Sequence, residues 1–530
     1  MEQERESEKQ HWADKYAQEV IDRSPGKKEY IVETGITPSG SVHVGNFRET
    51  MTQDLVYRAL LEKGVKTRYQ YFWDDYDRFR KVPAGVDKSW EQYIGLPVCK
   101  VPDSFKCHSS YAEHYEAPLI EENKLVGIKC EYLHASKEYA KGIFADFVKT
   151  ALEKSDEVRA IINKYREEAR EEGWLPVEVY CEKCGKDTTT AKYEGGYAVL
   201  YSCKCGHSGQ YDFRETANVK LRWRIDWPMR WAYYKVDFES SGKDHKASGG
   251  SWDTGVEICE KIFNYKPPIG PMYEFIYLKG IADKMSKSKG NVVTVKTLLE
   301  VYEPEVARYI YTARINKAID MPFDADLLNI YNYYDEAENE VFYPMGKAQE
   351  WKEGQKLEVV PDVNEIRRWQ LSQVGAVPPA RTAKPNFSVC VNAIQIAVGS
   401  VEKAKEILQR TGHPHENAEQ RLKLAWNWVQ KYAPDEYKIK LLEQMPDTSG
   451  FNTSVLQILG ETALEIERGA DGEKLQTFVY ENSKAKGQQP KLVFKAFYQL
   501  LLGKEKGPRL GPFLAALDKE FAAARLRLEK

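Results

Sequence analysis

Long apolar runs are missing from this chain. No stretch approaches the ~20 residues a membrane-crossing helix needs, so no membrane-spanning role is expected. The N-terminus, MEQERESEKQHWADKYAQEV, is charged from its second residue and has no apolar segment of the kind found in secretory signals. Internal repeats and extended low-complexity linkers are absent too. Nor is there a large excess of one charge: the net value of −3 is not that of a general nucleic-acid binder. A polyanion partner then calls for local clustering. Such a cluster occurs at the C-terminal end, with eleven Lys and Arg against four carboxylates from Lys484 onward. Cysteine is scarce and uneven, nine in all with four inside residues 181–205. That pattern suits a metal site in a reducing compartment better than a disulfide framework, and a cytoplasmic chain is expected.

What is present suffices for several cores. A length of 530 residues implies about three to four domains. YIVETG (Tyr30–Gly35) reads as a short buried strand, and Val44, Phe47, Met51, Leu55 and Leu60 fall near a helical period that closes on Gly64. Between them lies TPSGSVHVGN, a turn rich in small residues opening a helix. Such a turn is a natural phosphate site, because the first helical N–H groups are unpaired and the dipole is positive there. KTRYQYFWDD (Lys66–Asp75) alternates like a second strand, which completes strand–helix–strand and starts a parallel sheet. Its ligand would lie at the carboxyl ends of the strands, where TPSGSVHVGN sits.

The alternation then breaks. Residues 86–230 hold turn-rich loops, a charged segment expected to be helical (KYREEAREEGW) and the cysteine cluster. It resumes with WAYYKVDFES, read as a strand, then the glycine-rich SGGSWDTG, a helical VEICEKIF and a strand-like YEFIYL. The expected architecture is α/β, a split Rossmann-type nucleotide-binding domain (residues 1–85 and 231–300) interrupted by a zinc-containing insertion (86–230). From 301 to 530, amphipathic stretches such as EQRLKLAWNWVQKYA predict an all-α C-terminal domain. AVPPARTAKPN is a loop within it.

In CEKCGKDTTTAKYEGGYAVLYSCKCGH, two Cys pairs each precede a glycine and flank a hairpin-like stretch. This suits a zinc ribbon with Cys181, Cys184, Cys203 and Cys205 as ligands. The second pair is C-x-C, which leaves His207 open as a substitute ligand. A closed four-ligand site points to a structural Zn2+. Cys99, Cys107, His108 and His114 are a weaker second grouping.

A second signature, DKMSKSKGN (283–291), is basic and rich in donors, and it falls on the other half of the split sheet. HVGN (His43–Asn46) and KMSKS (Lys284–Ser288), in this order, resemble the two signatures of the class I aminoacyl-tRNA synthetases. ETGITPSGSVHVGNFRE, RWRIDWPMRW, GKDHKASGGSWDTG and YEFIYLKGIADKMSKSKGN are similar to the lysyl branch of that class over roughly residues 10–330. Asn46 stands where many relatives carry a second His.

The resemblance implies activation of L-lysine by ATP with Mg2+, then transfer to the terminal ribose of tRNA-Lys. His43 and Asn46, with Lys284 and Lys287, become the catalytic candidates, and Gly45, Ser286, Gly250 and Asp253 the ATP contacts. Gly35, Thr37, Trp227, His245, Tyr273 and its neighbour Glu274 are the lysine-pocket candidates. The helical C-terminal region becomes the tRNA stem and anticodon reader, and a monomer is expected. The alternatives are a class I synthetase for arginine, cysteine or glutamate, and an inactive synthetase-like RNA-binding protein.

Overall fold

The computed structural model describes residues 10–83, 85–281, 292–343, 349–350, 356–357 and 363–529. The chain begins with a helix, α1 (Trp12–Arg23), before the strand β1 (Tyr30–Ile36). Helix α2 (Val44–Glu62) follows, then strand β2 (Thr67–Trp73). Beyond it come helix α3 (Tyr111–Leu125) and strand β3 (Glu131–His134). β1 pairs parallel with β2, and β2 with β3. On the other side of β1, Phe238 bridges both Val32 and Ile269, again parallel. Ser241–Gly242 then pairs parallel with Met272–Tyr273. The sheet therefore runs β3-β2-β1, then the 236–242 segment, then the 269–273 segment, with all neighbours parallel.

Helix α2 is buried on nearly every face, not along one stripe. Besides Val44, Phe47, Met51, Leu55, Ala59 and Leu60 it buries Arg48, Thr52, Gln53 and Asp54. The reason is its central position, packed between α1, the sheet and the helices beyond residue 304. Burying polar groups there requires partners. Arg308 supplies one for Asp54 at 2.7 Å, and Arg48 donates to the carbonyls of Glu274, Phe275, Arg314, Ile315 and Lys317.

Three local readings differ from the sequence expectation. Of KYREEAREEGW only Lys164 is helical, as the last residue of Ser155–Lys164. The stretch has no apolar face to pack, and Asn163 holds Arg170 through a reciprocal pair of hydrogen bonds, N–H to Oδ1 at 2.7 Å and Nδ2 to carbonyl at 3.2 Å. WAYYKVDFES opens as the last turn of a helix, α4 (Trp223–Tyr234). That helix stops at Lys235, which has φ 59°, and only the residues after it are extended. YEFIYL divides between Met272–Tyr273 and a separate strand, Ile276–Lys279, which pairs parallel with Ile319–Pro322. Otherwise the expected mixture of α and β holds: a parallel sheet followed by a helical C-terminal region. Its last helices, Thr453–Glu467 to Lys519–Leu526, share a core of their own around Ile458, Leu475, Phe497 and Phe513.

Candidate active site

The turn after β1 ends at His43, which caps α2: its Nδ1 accepts the N–H of Asn46 at 3.2 Å. A Cβ at Gly45 would come within 3.0 Å of the His43 ring, so glycine leaves the capping geometry undisturbed. Asn46 Oδ1 is buried and has no hydrogen-bond partner among the described residues. A buried unpartnered acceptor is costly unless a ligand or water meets it. The first N–H of the helix, that of Val44, donates to Val293 at 2.9 Å. Arg48 one turn on holds Glu274 and Phe275. The described residues flanking 282–291 are therefore fastened to the first two turns of α2. Lys284, Ser286 and Lys287 themselves lie outside the described residues.

A cavity of about 300 Å3 opens at the carboxyl ends of the strands. Gly35, Thr37, Asn46, His245 and Tyr273 line it, and so do Glu49 and Trp223, which the sequence reading did not single out. Among the described residues its charged lining is Glu49, Asp74 and Asp244, with no lysine or arginine. Asp74 is neutralised by Arg230 at 2.6 Å, and Asp244 is largely in solvent. Glu49 is the carboxylate left for a ligand. It is fixed by Thr34 Oγ1 and Tyr273 OH, each donating at 2.8 Å to a different oxygen. Though the residue touches the cavity, protein encloses its carboxyl group closely enough that burial pushes it up to about 7.

The remaining candidates sit around this cavity. Trp227 is buried behind it, with Nε1 donating to Glu239 at 3.0 Å, and Trp223 stacks on Trp227 with centroids 5.6 Å apart. His245 Nδ1 lies 2.6 Å from Ser251 Oγ, and burial lowers its pKa. Glu274 is outside the lining, paired with Lys243 at 2.8 Å. Gly250 is the N-cap residue of the helix Ser251–Lys261, and a Cβ there would lie 2.2 Å from the His245 carbonyl oxygen. Asp253 is exposed in that helix's first turn.

Beneath the cavity lies a buried ionic layer. Five carboxylates (Glu33, Asp74, Asp77, Asp226, Glu239) are set against two cations, Lys220 and Arg230. Lys220 reaches Asp77 at 2.9 Å, and both tryptophans Trp227 and Trp231 donate to Glu239. With too few cations, burial pushes Glu33 up to about 7 and Asp74 to about 6.

The four cysteines come together on a three-stranded antiparallel sheet (Thr189–Gly195, Ala198–Cys203, Ser208–Asp212) and the turn before it. Gly185 and Gly206 take φ of 71° and 84°, closing a tight turn after each pair that keeps both thiols facing inward. Cys181 and Cys205 Sγ are 3.7 Å apart, Cys184 and Cys203 Sγ 3.6 Å, and all four lie within 4.8 Å of one another. A tetrahedral zinc with Zn–S of about 2.3 Å sets sulfurs about 3.8 Å apart, so the four thiols fit that ion. His207 is not part of this group. A second set, Asp103, Cys107, His108 and His114, also lies within 4.8 Å. Asp103 takes the place that spacing suggested for Cys99, which is not part of this set.

Comparison with known proteins gives the class first. Residues 10–365 match the family described as tRNA synthetases class I (K). The lysine–tRNA ligase of Thermococcus kodakarensis is 43% identical over 535 residues, covering 98% of this chain and 99% of that one. That of Pyrococcus furiosus is 41% identical over 534 residues, with coverage of 98% and 99%. That of Treponema pallidum is 38% identical over 521 residues, with coverage of 96% and 97%. The chain belongs to the family of class I tRNA synthetases of the lysine type.

Proposed function

We propose that this chain is a lysine–tRNA ligase. It activates L-lysine with ATP to lysyl-adenylate and passes the lysyl group to the terminal ribose of tRNA-Lys. The observation that carries the substrate is the cavity's charge: among the described residues Glu49, Asp74 and Asp244 line it, and no lysine or arginine does. A glutamate-specific enzyme needs the reverse, because a buried substrate carboxylate without a cation is strongly disfavoured. A lysine ammonium would take Glu49 and Tyr273 as its partners, with Trp223 as a wall for the methylenes.

The sheet order and its crossing connections support a Rossmann-type nucleotide domain split between residues 1–85 and 231–300. Its insertion spans 86–230, and the helical region from 301 to 530 would read the tRNA stem and anticodon. The ATP phosphates would meet the start of α2, where His43, Gly45 and Asn46 combine a helix N-terminus with side-chain donors. Gly250 and Asp253 would lie towards the ribose. Lys284, Ser286 and Lys287 would meet the leaving pyrophosphate. Mg2+ on the triphosphate supplies charge neutralisation. The chain's own groups position the lysine carboxylate for in-line attack on the α-phosphate and stabilise the charge that develops. We take the enzyme to be a cytoplasmic monomer.

With tRNA present, ATP–pyrophosphate exchange should depend on lysine. His43→Ala should lower its rate about 10²–10³-fold, the usual cost of one preorganised donor, while tRNA binding is retained. A His43→Ala enzyme at the wild-type rate would contradict the assignment.

Both metal-ligand sets are read as structural zinc sites, since each offers four protein ligands and no open position. Purified protein should carry two zinc ions per chain by elemental analysis. Cys205→Ser should bring this to one and lower the melting temperature. A wild-type zinc content in Cys205→Ser would remove that residue from the site.

A further inference from the structure

A hydroxyl group can meet a ligand as a donor or as an acceptor, and its other hydrogen bonds decide which. Thr37 directly follows β1 and lines the acidic cavity. Its Oγ1 donates to Asp77 Oδ2 at 2.9 Å. The other oxygen of that carboxylate, Oδ1, accepts from Lys220 Nζ at 2.9 Å. Lys220 is fully buried on the strand Val219–Leu221, opposite Glu178 of the strand Val177–Val179. Its ammonium also reaches the Leu221 carbonyl at 3.4 Å and lies 3.9 Å from Asp226. Main-chain bonds fix Asp77 as well. Its N–H donates to the Asp74 carbonyl at 3.1 Å, and its own carbonyl accepts from Val98 at 2.8 Å.

This relay has a direction. An ammonium offers only hydrogens, and a carboxylate paired with one offers only lone pairs. Asp77 therefore takes the Thr37 hydrogen, and the lone pairs of Thr37 Oγ1 are what remains for the cavity. A lone pair suits an N–H of the substrate and repels its carboxylate. Lysine carries two ammonium groups, and Glu49 and Tyr273 take the ε-ammonium in the lysine-ligase reading. The α-ammonium is the donor left for Thr37.

We propose that Asp77 and Lys220 are positioning residues for amino-acid choice: they hold Thr37 Oγ1 as an acceptor, and the group it accepts from is the α-ammonium of lysine. The proposal rests on the reading of the chain as a lysine–tRNA ligase. It gives Lys220 a part in recognition although its side chain does not line the cavity. Asp77→Asn separates this role from packing, because it keeps the size of the side chain and reverses the hydrogen bond. Lys220 must face the amide oxygen, so the amide nitrogen donates to Thr37 Oγ1 and the hydroxyl hydrogen is released towards the cavity. A hydrogen there opposes an ammonium.

The test measures KM for lysine and for ATP in tRNA charging by the full chain, together with competitive inhibition by ε-aminocaproate. That compound keeps the ε-ammonium and the carboxylate of lysine and lacks the α-amino group. Thr37→Val should raise KM for lysine about tenfold and Asp77→Asn about 10²-fold, the range for a hydrogen bond to a charged group. KM for ATP and the inhibition constant of ε-aminocaproate should stay near wild type in both. Combining the two substitutions should bring KM for lysine back to that of Thr37→Val, because no hydroxyl is left to face the wrong way. An Asp77→Asn enzyme with the wild-type KM for lysine overturns the proposal. So does a double variant as poor as Asp77→Asn, which would mean a general loss of structure at the site. Whether or not Asp77→Asn folds, a Thr37→Val enzyme that weakens lysine and ε-aminocaproate alike, or neither, overturns it too. Failure of wild-type protein to charge any tRNA with lysine would instead overturn the assigned function.

Discussion

Replacing Glu49 with glutamine should lower kcat/KM for lysine charging by about 10²–10³-fold. The substitution keeps size and shape but removes the one carboxylate that, among the described residues lining the cavity, neither Arg230 nor solvent satisfies. Losing one partner of an enclosed, hydrogen-bonded charge pair costs about 3–4 kcal/mol, which corresponds to that factor. The loss should appear mainly as a raised KM for lysine, with KM for ATP little changed. Steady-state kinetics at fixed tRNA measure both.

A pH dependence follows from the same group. Burial holds the empty-site Glu49 carboxyl at about 7, so it is largely protonated in mild acid and ionised above neutrality. The lysine ammonium stays charged up to about pH 10. KM for lysine should therefore fall as pH rises from about 6 to about 8, and Glu49→Gln should lose that trend. A glutamine variant with wild-type KM and the wild-type pH profile would remove Glu49 from the pocket.

The second large effect is on stability. Arg230→Met should destabilise the catalytic region by about 3–5 kcal/mol, the usual consequence of removing one partner of a buried ion pair. Arg230 is the cation closest to Asp74, at 2.6 Å, and it lies 3.9 Å from Asp226. Without it Lys220 alone faces the buried carboxylates. The pH response has a definite sign. Glu33 and Asp74 have folded-state pKa values raised to about 7 and about 6, from ordinary values of 4.5 and 3.8. The folded state thus binds their protons more tightly than the unfolded one. The stability they contribute is full below about pH 4 and is lost as pH rises towards about 7. In Arg230→Met this decline should steepen, because the cation that favours the ionised forms is gone. Thermal melting across that range reads both effects. An unchanged melting temperature at neutral pH would mean that the carboxylates find other compensation.

Much of this organisation was legible in the sequence because it is local. The β1 and β2 strands, the His43 start of α2 and the inward-turned cysteine pairs are set by alternation, capping chemistry and glycine turns within a few residues. What was not legible depends on contacts across the chain. Glu274 is a lysine-pocket candidate by resemblance, as the neighbour of Tyr273 in the chain. The structure sends Glu274 to Lys243 and brings Tyr273 to Glu49 on α2. Glu49 lies three residues past Asn46, so it shares a helix face with that signature residue, but an isolated glutamate in a helix gives no other cue. Trp223 was hidden in a similar way. The Trp223, Trp227, Trp231 spacing of four places all three on one side of a helix, yet only the tertiary packing puts Trp223 at the cavity and Trp227 behind it. In the second metal-ligand set, spacing alone did not distinguish Asp103 from Cys99 as the fourth member. The charged KYREEAREEGW segment shows the converse, a run with fair helical propensity and no apolar face, and it does not form a helix.

The most direct test of substrate and activity together is charging of unfractionated tRNA with each labelled amino acid in turn, in ATP and Mg2+. Incorporation of lysine alone is the predicted result. Incorporation of a different amino acid, glutamate above all, would contradict the reading of the acidic cavity. No charging at all, with tRNA still bound, would make the chain an RNA-binding protein and contradict the ligase assignment.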